Sequence, residues 1–389
     1  MNGEPELDPI VILGSGLAGY TVAREFRKLD KASPVVLVTR DGGDYYSKPT
    51  LSNAFAQKRT AAQLVTTPAA DMAAQVGLAL KTGTTVAHID TAARKVITAN
   101  EVIAYRSLVL ALGADPIRLS IEGDAAGEIL SVNDLDDYAR FREQVQGKSH
   151  VAILGGGLIG CEFANDLAGA EFRVTVIDPA ARPLASLLPE AGGQSLIMPL
   201  AKCGIDWRFG RSAKSLARVG ASLRLTLDDG SVAEADLVLS AVGLRPRIGL
   251  AREAGIATER GILVDEMART HSPEIYALGD CAQYPTGVMP YVMPIMHAAR
   301  ALAQTLAGKP TPMNFPPMPV SVKTPAWPVA VQPVPADAEG RWSVLAQNES
   351  GLKMVFKEPD GSVRGFVVAG DLIKERMAMT KLLALPAAA

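Results

Sequence analysis

The sequence predicts an α/β protein with two Rossmann-like dinucleotide-binding domains, one inserted in the other, and a small α+β C-terminal domain. A strand, a GxGxxG loop and a helical pattern occur at residues 10–29 and again at 151–170. A second pair of apolar strands, at 108–116 and 237–246, each runs into a glycine and then a proline. A proline-dense stretch at 309–335 gives way to three short strand patterns and a last helix. At 389 residues the chain has room for two or three domains.

The first copy reads Ile10-Val-Ile-Leu-Gly-Ser-Gly-Leu-Ala-Gly19 and the second Val151-Ala-Ile-Leu-Gly-Gly-Gly-Leu-Ile-Gly160. A short unbroken apolar run before a glycine turn fits a strand buried on both faces. The helices are predicted over 20–29, carrying Arg24, Arg27 and Lys28, and over 162–170. A second strand follows each, at 35–39 and at Arg173–Asp178. Strand, turn, helix and strand is the unit of a parallel sheet. The strands at 108–116 and 237–246 turn sharply at their carboxyl ends, where open α/β sheets bind ligands. Hairpin signals fill the intervals, at 85–91 with 95–99 and at 223–227 with 232–233 around Asp228-Asp-Gly230. Prolines over 309–335 argue against helix and for extended, edge or linking segments. Beyond them, strands are predicted at 342–345, 352–357 and 363–368, then a helix at 372–383.

Composition excludes several classes. Net charge is -2, from 39 basic and 41 acidic side chains, which rules out a bulk electrostatic nucleic-acid binder. Cys161, Cys203 and Cys281 form no CxxC or CxxxxC pair, disfavouring a disulfide framework, a zinc ribbon or a local dithiol. His88, His150, His271 and His297 have no metal spacing, and no metal is expected. Residues 1–8 are acidic and polar, unlike a signal peptide. The apolar runs near residues 10–18 and 151–164 are interrupted by glycines and fall short of the roughly 18–20 residues of a membrane span. A cytoplasmic protein without membrane contact is expected.

Two GxGxxG loops, each between a strand and a helix, point to two nucleotides. The glycines admit a pyrophosphate, and the helix N-terminus offers free N–H groups and the positive end of its dipole. Gly155, Gly157, Leu158, Ile159 and Gly160 are the contacts in the second copy. Asp178, 23 positions beyond Gly155, can accept both ribose hydroxyls and repel a 2′-phosphate, which favours NADH over NADPH. Arg182, close behind, runs against that preference. In the first copy the strand ends Thr39-Arg40-Asp41. There Asp41 takes the ribose, or backbone groups and Arg40 hold the adenosine part. Ala111, Gly113 and Gly243, at the ends of the later strand pair, are further cofactor contacts. The third signal is Thr270-His-Ser-Pro-Glu-Ile-Tyr-Ala-Leu-Gly-Asp280, a strand ending at a glycine and an aspartate.

Together these motifs resemble the FAD-dependent pyridine nucleotide oxidoreductases built like glutathione reductase, over essentially the whole chain. The resemblance implies that FAD occupies the first loop and NADH the inserted one. It divides the chain into an FAD-binding domain at 1–116 and 245–316, an NADH-binding domain at 117–244 and a C-terminal domain at 317–389. It implies FAD contacts from Gly14, Ser15, Gly16, Leu17, Ala18 and Gly19, from Thr39 and Arg40, and from Asp280 on the ribityl chain. Val86 takes the place of a backbone clamp for adenine. Lys48 and Pro49 fall beside the flavin ring, and Glu162 pairs with Lys48 near flavin N5 and the nicotinamide. Lys323 falls at the flavin pyrimidine edge, where it and a helix at 293–306, with the Val292 N–H before it, favour negative charge on the reduced ring.

Disulfide reductases of this family carry CxxxxC on the first flavin helix, and peroxidases and oxidases one cysteine nearby. Here that stretch is Tyr45-Tyr-Ser-Lys-Pro-Thr-Leu-Ser52, without cysteine. This resembles the reductases that serve small iron–sulfur proteins. Ser47-Lys-Pro-Thr-Leu-Ser52, Cys161-Glu-Phe-Ala-Asn-Asp-Leu167 and Val322-Lys-Thr-Pro325 resemble the rubredoxin-reducing branch. The implied activity is electron transfer from NADH through FAD, one electron at a time, to rubredoxin, in support of alkane hydroxylation or detoxification of oxygen and peroxide. Docking is expected to be transient and electrostatic, and the reductase a monomer. The alternatives are a ferredoxin reductase of a P450 or dioxygenase system, sharing the chemistry with a different docking surface, and an NADH-sensing flavoprotein. The absent cysteine disfavours a direct NADH oxidase or peroxidase.

Overall fold

The computed structural model describes residues 7–335 and 337–383, so most of the acidic N-terminal stretch lies outside the described residues. The chain forms two compact units. One comprises residues 1–48, 65–115 and 244–315; the other comprises 49–64, 116–243 and 316–389.

The first unit is built on a five-stranded parallel sheet ordered Ile275–Ala277, Ser107–Leu110, Ile10–Leu13, Val35–Val38, Ala79–Lys81. Ile10–Leu13 and Ser107–Leu110 are wholly buried, as their unbroken apolar runs require. The first glycine-loop helix, Leu17–Leu29, packs Tyr20, Val22, Ala23 and Phe26 into this core. It begins three residues before the predicted start, because the glycine loop feeds straight into its first turn. Helix Val292–Leu306 packs against it. The predicted hairpin is present as Val86–Asp90 with Lys95–Thr98, extended by a third strand, Val102–Ala104.

The second unit repeats the theme with a four-stranded parallel sheet ordered Ile205–Phe209, Arg173–Asp178, His150–Leu154, Leu237–Ser240. Its glycine-loop helix is Leu158–Gly169. The hairpin predicted around Gly230 is the end of a three-stranded antiparallel sheet, Ala213–Val219, Ser222–Leu227 and Val232–Ala235.

The C-terminal part holds five antiparallel strands where three are predicted. Val320–Val322 and Val329–Gln332 come from the proline-dense stretch. Their ladders survive because Pro319, Pro325, Pro328 and Pro333 stand outside the paired residues, and Val320–Val322 is an edge strand. The predicted last helix is a 3₁₀ turn, Asp371–Glu375, followed by a short α-helix, Arg376–Lys381. Met379 and Leu383 close the core over Ala330, Val355, Phe366 and Val368.

Residues 49–64, expected with the first part of the FAD-binding domain, group with the second unit. Phe55 explains this by packing edge-on against Phe141 and Phe172. The Phe55 and Ala56 N–H groups also donate to the Asp166 carboxylate at 2.7 and 3.1 Å.

Candidate cofactor and electron-transfer sites

In the first unit the glycine loop is forced by contact. A Cβ on Gly14 would lie 2.3 Å from the Ala111 carbonyl oxygen, and one on Gly19 1.9 Å from that of Gly14. Gly16, by contrast, faces open space. It is the N-cap of Leu17–Leu29 and caps nothing with a side chain, so the N–H groups of Leu17, Ala18 and Gly19 stay available for an anion. Ser15 reaches Thr39 at 2.9 Å and donates to Asp41 at 2.8 Å. Asp41 also accepts from Thr39 and from the Gly43 N–H. Asp41 therefore holds the loop end together through its Oδ1. The Thr84 N–H donates to the Thr39 carbonyl, which seats the start of the Val86 strand beside this strand end.

A cationic pair closes the rim. The Arg247 Nε and Nη2 groups bind Asp115 at 2.7 and 2.6 Å, and its Nη1 donates to the Leu112 carbonyl. Arg40 lies 3.5 Å from the same carboxylate. Burial pushes the Asp115 carboxyl up, and Arg247 and Arg40 outweigh it, holding it below the usual range. The Arg247 N–H donates to the Gly113 carbonyl, whose φ of +71° suits glycine. Asp280 is pushed up by burial, opposed by Lys48 and Arg247, and among the described residues no hydrogen bond stabilises its charge. Val292, expected just before its helix, is the first helical residue, and its N-cap Tyr291 makes no side-chain cap. Open space at Gly16, uncapped N–H groups, two arginines and a carboxylate lacking donors fit a flavin dinucleotide.

The second unit repeats this geometry. A Cβ on Gly155 would meet the Ala241 carbonyl oxygen at 2.6 Å and one on Gly160 that of Gly155 at 1.9 Å, while Gly157 faces open space. Asp178 accepts from the Gly156 N–H at 2.5 Å and from the Ala180 N–H at 2.7 Å, fixing the carboxylate at the loop. Leu158 and Ile159 open the helix, half-buried. Gly243 holds φ of +114° at the facing strand end, and its carbonyl accepts from Ile117. The Nη1 of Arg182 is buried without a partner among the described residues.

Glu162 is 2% exposed on the second-loop helix. Ser52 donates to its Oε2 at 2.5 Å, and the Lys323 N–H donates to Oε1 at 2.8 Å. The Lys323 ammonium lies 3.8 Å from Oε2 and donates to the Pro49 carbonyl at 2.5 Å. Burial pushes the Glu162 carboxyl up, opposed by Lys323 and Ser52. One turn on, Asn165 accepts from the Ala326 N–H, and Asp166 holds Phe55 and Ala56. Three polar side chains of one helix thus secure residues 52–56 and 323–326. Lys48, expected as the partner of Glu162, belongs to the other unit, where its charge acts on Asp280. Lys323, expected at the flavin edge, engages Glu162 and Pro49. Sequence reasoning missed Arg247, Ser52, Asn165 and Asp166 as individual contributors. Only the position of Arg247, just past a strand-end Gly and Pro, gives a local signal.

All three cysteines are free. Cys161 donates to the Gly156 carbonyl, and burial pushes its thiol up. Burial pushes the Cys281 thiol up to about 11. Neither forms a thiolate near neutrality.

Residues 8–305 match the family model described as pyridine nucleotide-disulphide oxidoreductase. The chain belongs to that family. Within the family, it is similar to "Rubredoxin-NAD(+) reductase" of Alcanivorax borkumensis, 48% identical over 97% of this chain and 99% of that protein. The protein of the same name from Acinetobacter baylyi is 42% identical over 97% and 98%. Among solved members, the covalent putidaredoxin reductase–putidaredoxin complex aligns with a TM-score of 0.87 at 26% identity, covering 96% of this chain and 93% of that one. Residues 312–383, outside the family match, fit a second model, a rubredoxin binding C-terminal domain. Among the described residues no helix is long and apolar enough to cross a membrane.

Proposed function

We propose that this protein is an NADH-dependent flavoprotein reductase of rubredoxin. The observation that carries this reading is the match of residues 312–383 to a rubredoxin binding C-terminal domain, on a chain with two glycine-loop cradles. FAD, when bound, accepts a hydride equivalent from NADH and yields it as single electrons. Everything else falls to side chains and backbone.

In this reading Gly14 to Gly19, with Thr39, Arg40, Val86, Ala111, Gly113 and Arg247, hold FAD. Asp280 accepts hydrogen bonds from its hydroxyl groups. Lys48 would lie beside the ring, and the Val292 N–H would favour its anionic reduced form. Gly155 to Gly160, Asp178 and Gly243 hold NADH. Glu162 orients the nicotinamide end and is itself positioned by Ser52 and Lys323. The buried thiols take no part. Without a cysteine in residues 45–52, the protein would offer no thiol relay, so the acceptor would dock transiently and be reduced directly, by a reductase working as a cytoplasmic monomer. The process it serves is alkane hydroxylation or the detoxification of oxygen and peroxide. A ferredoxin reductase is less well supported, since the C-terminal match names rubredoxin.

Anaerobic stopped-flow tests the reading. The NADH-reduced holoprotein is mixed separately with rubredoxin and with a [2Fe–2S] ferredoxin. Fast reoxidation by rubredoxin alone is expected. Preference for ferredoxin transfers the assignment to the oxygenase reductases, and slow transfer to both favours the sensor.

A further inference from the structure

Buried polar atoms that the protein leaves without a partner gather around the second glycine loop. Among the described residues, Arg182 Nη1, Ser240 Oγ and Asn53 Nδ2 are buried without a hydrogen bond. Arg182 follows Asp178 by four positions. Ser240 ends the strand Leu237–Ser240, and the next residue, Ala241, is the one whose carbonyl crowds Gly155. Gln332 Oε1, in the C-terminal sheet, stands apart from this grouping. Asn53 follows Ser52, whose hydroxyl donates to Glu162. Just beyond it, the Phe55 and Ala56 N–H groups donate to Asp166. Asn53 is therefore held from both sides by one helix, Leu158–Gly169, whose N-terminus is the open glycine loop. A fixed amide with two donors and no acceptor in the protein weakens the empty fold and suits a site that a ligand completes.

We propose that Asn53 recognises the carboxamide of NADH, its Nδ2 donating to the carboxamide oxygen while Glu162 accepts from the carboxamide nitrogen. The inference rests on the proposed function, in which Glu162 meets the nicotinamide end. A primary carboxamide presents a carbonyl acceptor and an NH2 donor. The Glu162 carboxylate can only accept, so it reads the NH2. Its Oε1 receives the Lys323 N–H and keeps a lone pair for a second donor. The carbonyl needs a donor, and the neighbouring ones are committed. Ser52 gives its hydroxyl proton to Glu162, and the Lys323 ammonium serves Glu162 and the Pro49 carbonyl. Asn53 Nδ2 is the buried donor left unspent beside them. A donor and an acceptor set side by side select a group that offers both, and an analogue lacking one of them leaves a buried polar atom unpaired.

The test is isothermal titration calorimetry on the oxidised holoprotein with FAD bound. The probes are NAD+, its thionicotinamide and 3-acetylpyridine analogues, and ADP-ribose. Asn53→Leu removes both donors, and the Kd for NAD+ is expected to rise about tenfold. The 3-acetylpyridine analogue keeps the carbonyl and should weaken by the same factor. The thionicotinamide analogue, whose sulfur is a poor acceptor, and ADP-ribose, which lacks the ring, should stay within about twofold of their parent values. Asn53→Ala serves as the second variant should leucine crowd the site. An NAD+ affinity within about twofold of the parent, in a variant with a normal flavin spectrum, overturns the assignment. So does an equal loss with ADP-ribose or with the thionicotinamide analogue, because neither offers the carbonyl that Asn53 reads. Failure of NADH to reduce the parent holoprotein overturns the functional reading instead.

Discussion

Lys323 grips Glu162 with two groups: its backbone N–H donates to Oε1 at 2.8 Å, and its ammonium stands 3.8 Å from Oε2. A carboxylate 2% exposed is thereby met by a fixed dipole and a full charge from one residue 161 positions away. Since burial pushes the Glu162 carboxyl up and Lys323 pulls it down, the lysine sets how readily this group ionises.

Lys323→Met keeps the chain length and the backbone donor but removes the cation. The Glu162 carboxyl then moves further up. The carboxylate limb in the pH profile of flavin reduction by NADH is expected to move to higher pH. A limb displaced by a factor of ten in proton concentration corresponds to about 1.4 kcal/mol of lost ion pairing. Stopped-flow across the acidic and neutral range measures it. A limb that stays in place, or moves down, removes Lys323 from this role.

The same carboxylate predicts a sign for stability. A folded-state carboxyl titrating above its ordinary value of 4.5 binds its proton more tightly than the unfolded chain does. Its contribution is therefore greatest below 4.5 and is lost as pH rises through the folded value. Glu162→Gln removes this dependence. Relative to the parent, the variant should gain stability as pH rises from 4.5 toward neutrality, read from urea unfolding at several pH values. A difference that is flat with pH, or of opposite slope, contradicts the direction.

Asp166 carries a separate structural burden. It is 5% exposed and accepts the Phe55 and Ala56 N–H groups. Asp166→Ala strands both donors, and each orphan costs about 1–3 kcal/mol. The loss should appear in urea unfolding of the apoprotein. Susceptibility to proteolysis should rise at residues 49–64 before the parallel sheets open, because that segment loses its anchor. Nicking elsewhere first would place the anchor on the Phe55 ring contacts instead.

The two glycine loops separate cofactor binding from folding. Gly16 and Gly157 face open space, so Gly16→Ala and Gly157→Ala meet no protein atom. Each apoprotein should unfold within about 0.5 kcal/mol of the parent. Gly16→Ala is expected to lose FAD on gel filtration, and Gly157→Ala to keep a yellow chromophore while its KM for NADH climbs at least about tenfold. Gly19→Ala and Gly160→Ala place a Cβ 1.9 Å from a carbonyl oxygen and should impair folding itself.

The loops and central strands were legible because their chemistry is local. A glycine that must tolerate close approach of backbone, or a strand buried on both faces, writes itself into consecutive residues. Asp178 was legible for the same reason, as the last residue of the strand beside the loop. The network around Glu162 was not. Ser52, Asp166 and Lys323 are ordinary polar residues until folding brings segments 110 and 161 positions apart together. Prolines hid two strands because they mark only where the ladder is absent, and Val320–Val322 and Val329–Gln332 fit between them. Arg247 escaped because its partner, Asp115, replaces no motif position and is recognised only across 132 residues.

Nucleotide choice follows from Asp178 and Arg182. Asp178 is locked by the Gly156 and Ala180 N–H groups, so a 2′-phosphate would meet a carboxylate that cannot turn away. Arg182, four residues on, holds a buried Nη1 without a partner among the described residues. Asp178→Ser removes the repulsion and leaves Arg182, four positions on, with a nitrogen that no protein group of the described residues occupies. The ratio of kcat/KM for NADH over NADPH is expected to fall by about 10- to 100-fold, or roughly 1.4–2.8 kcal/mol. Most of the change should come from improved NADPH use. Adding Arg182→Ala should return NADPH to poor use without restoring NADH. If the single variant merely loses NADH activity, Asp178 supports the loop rather than selecting the ribose. If Arg182→Ala changes nothing in that background, its orphaned nitrogen is packing, not recognition.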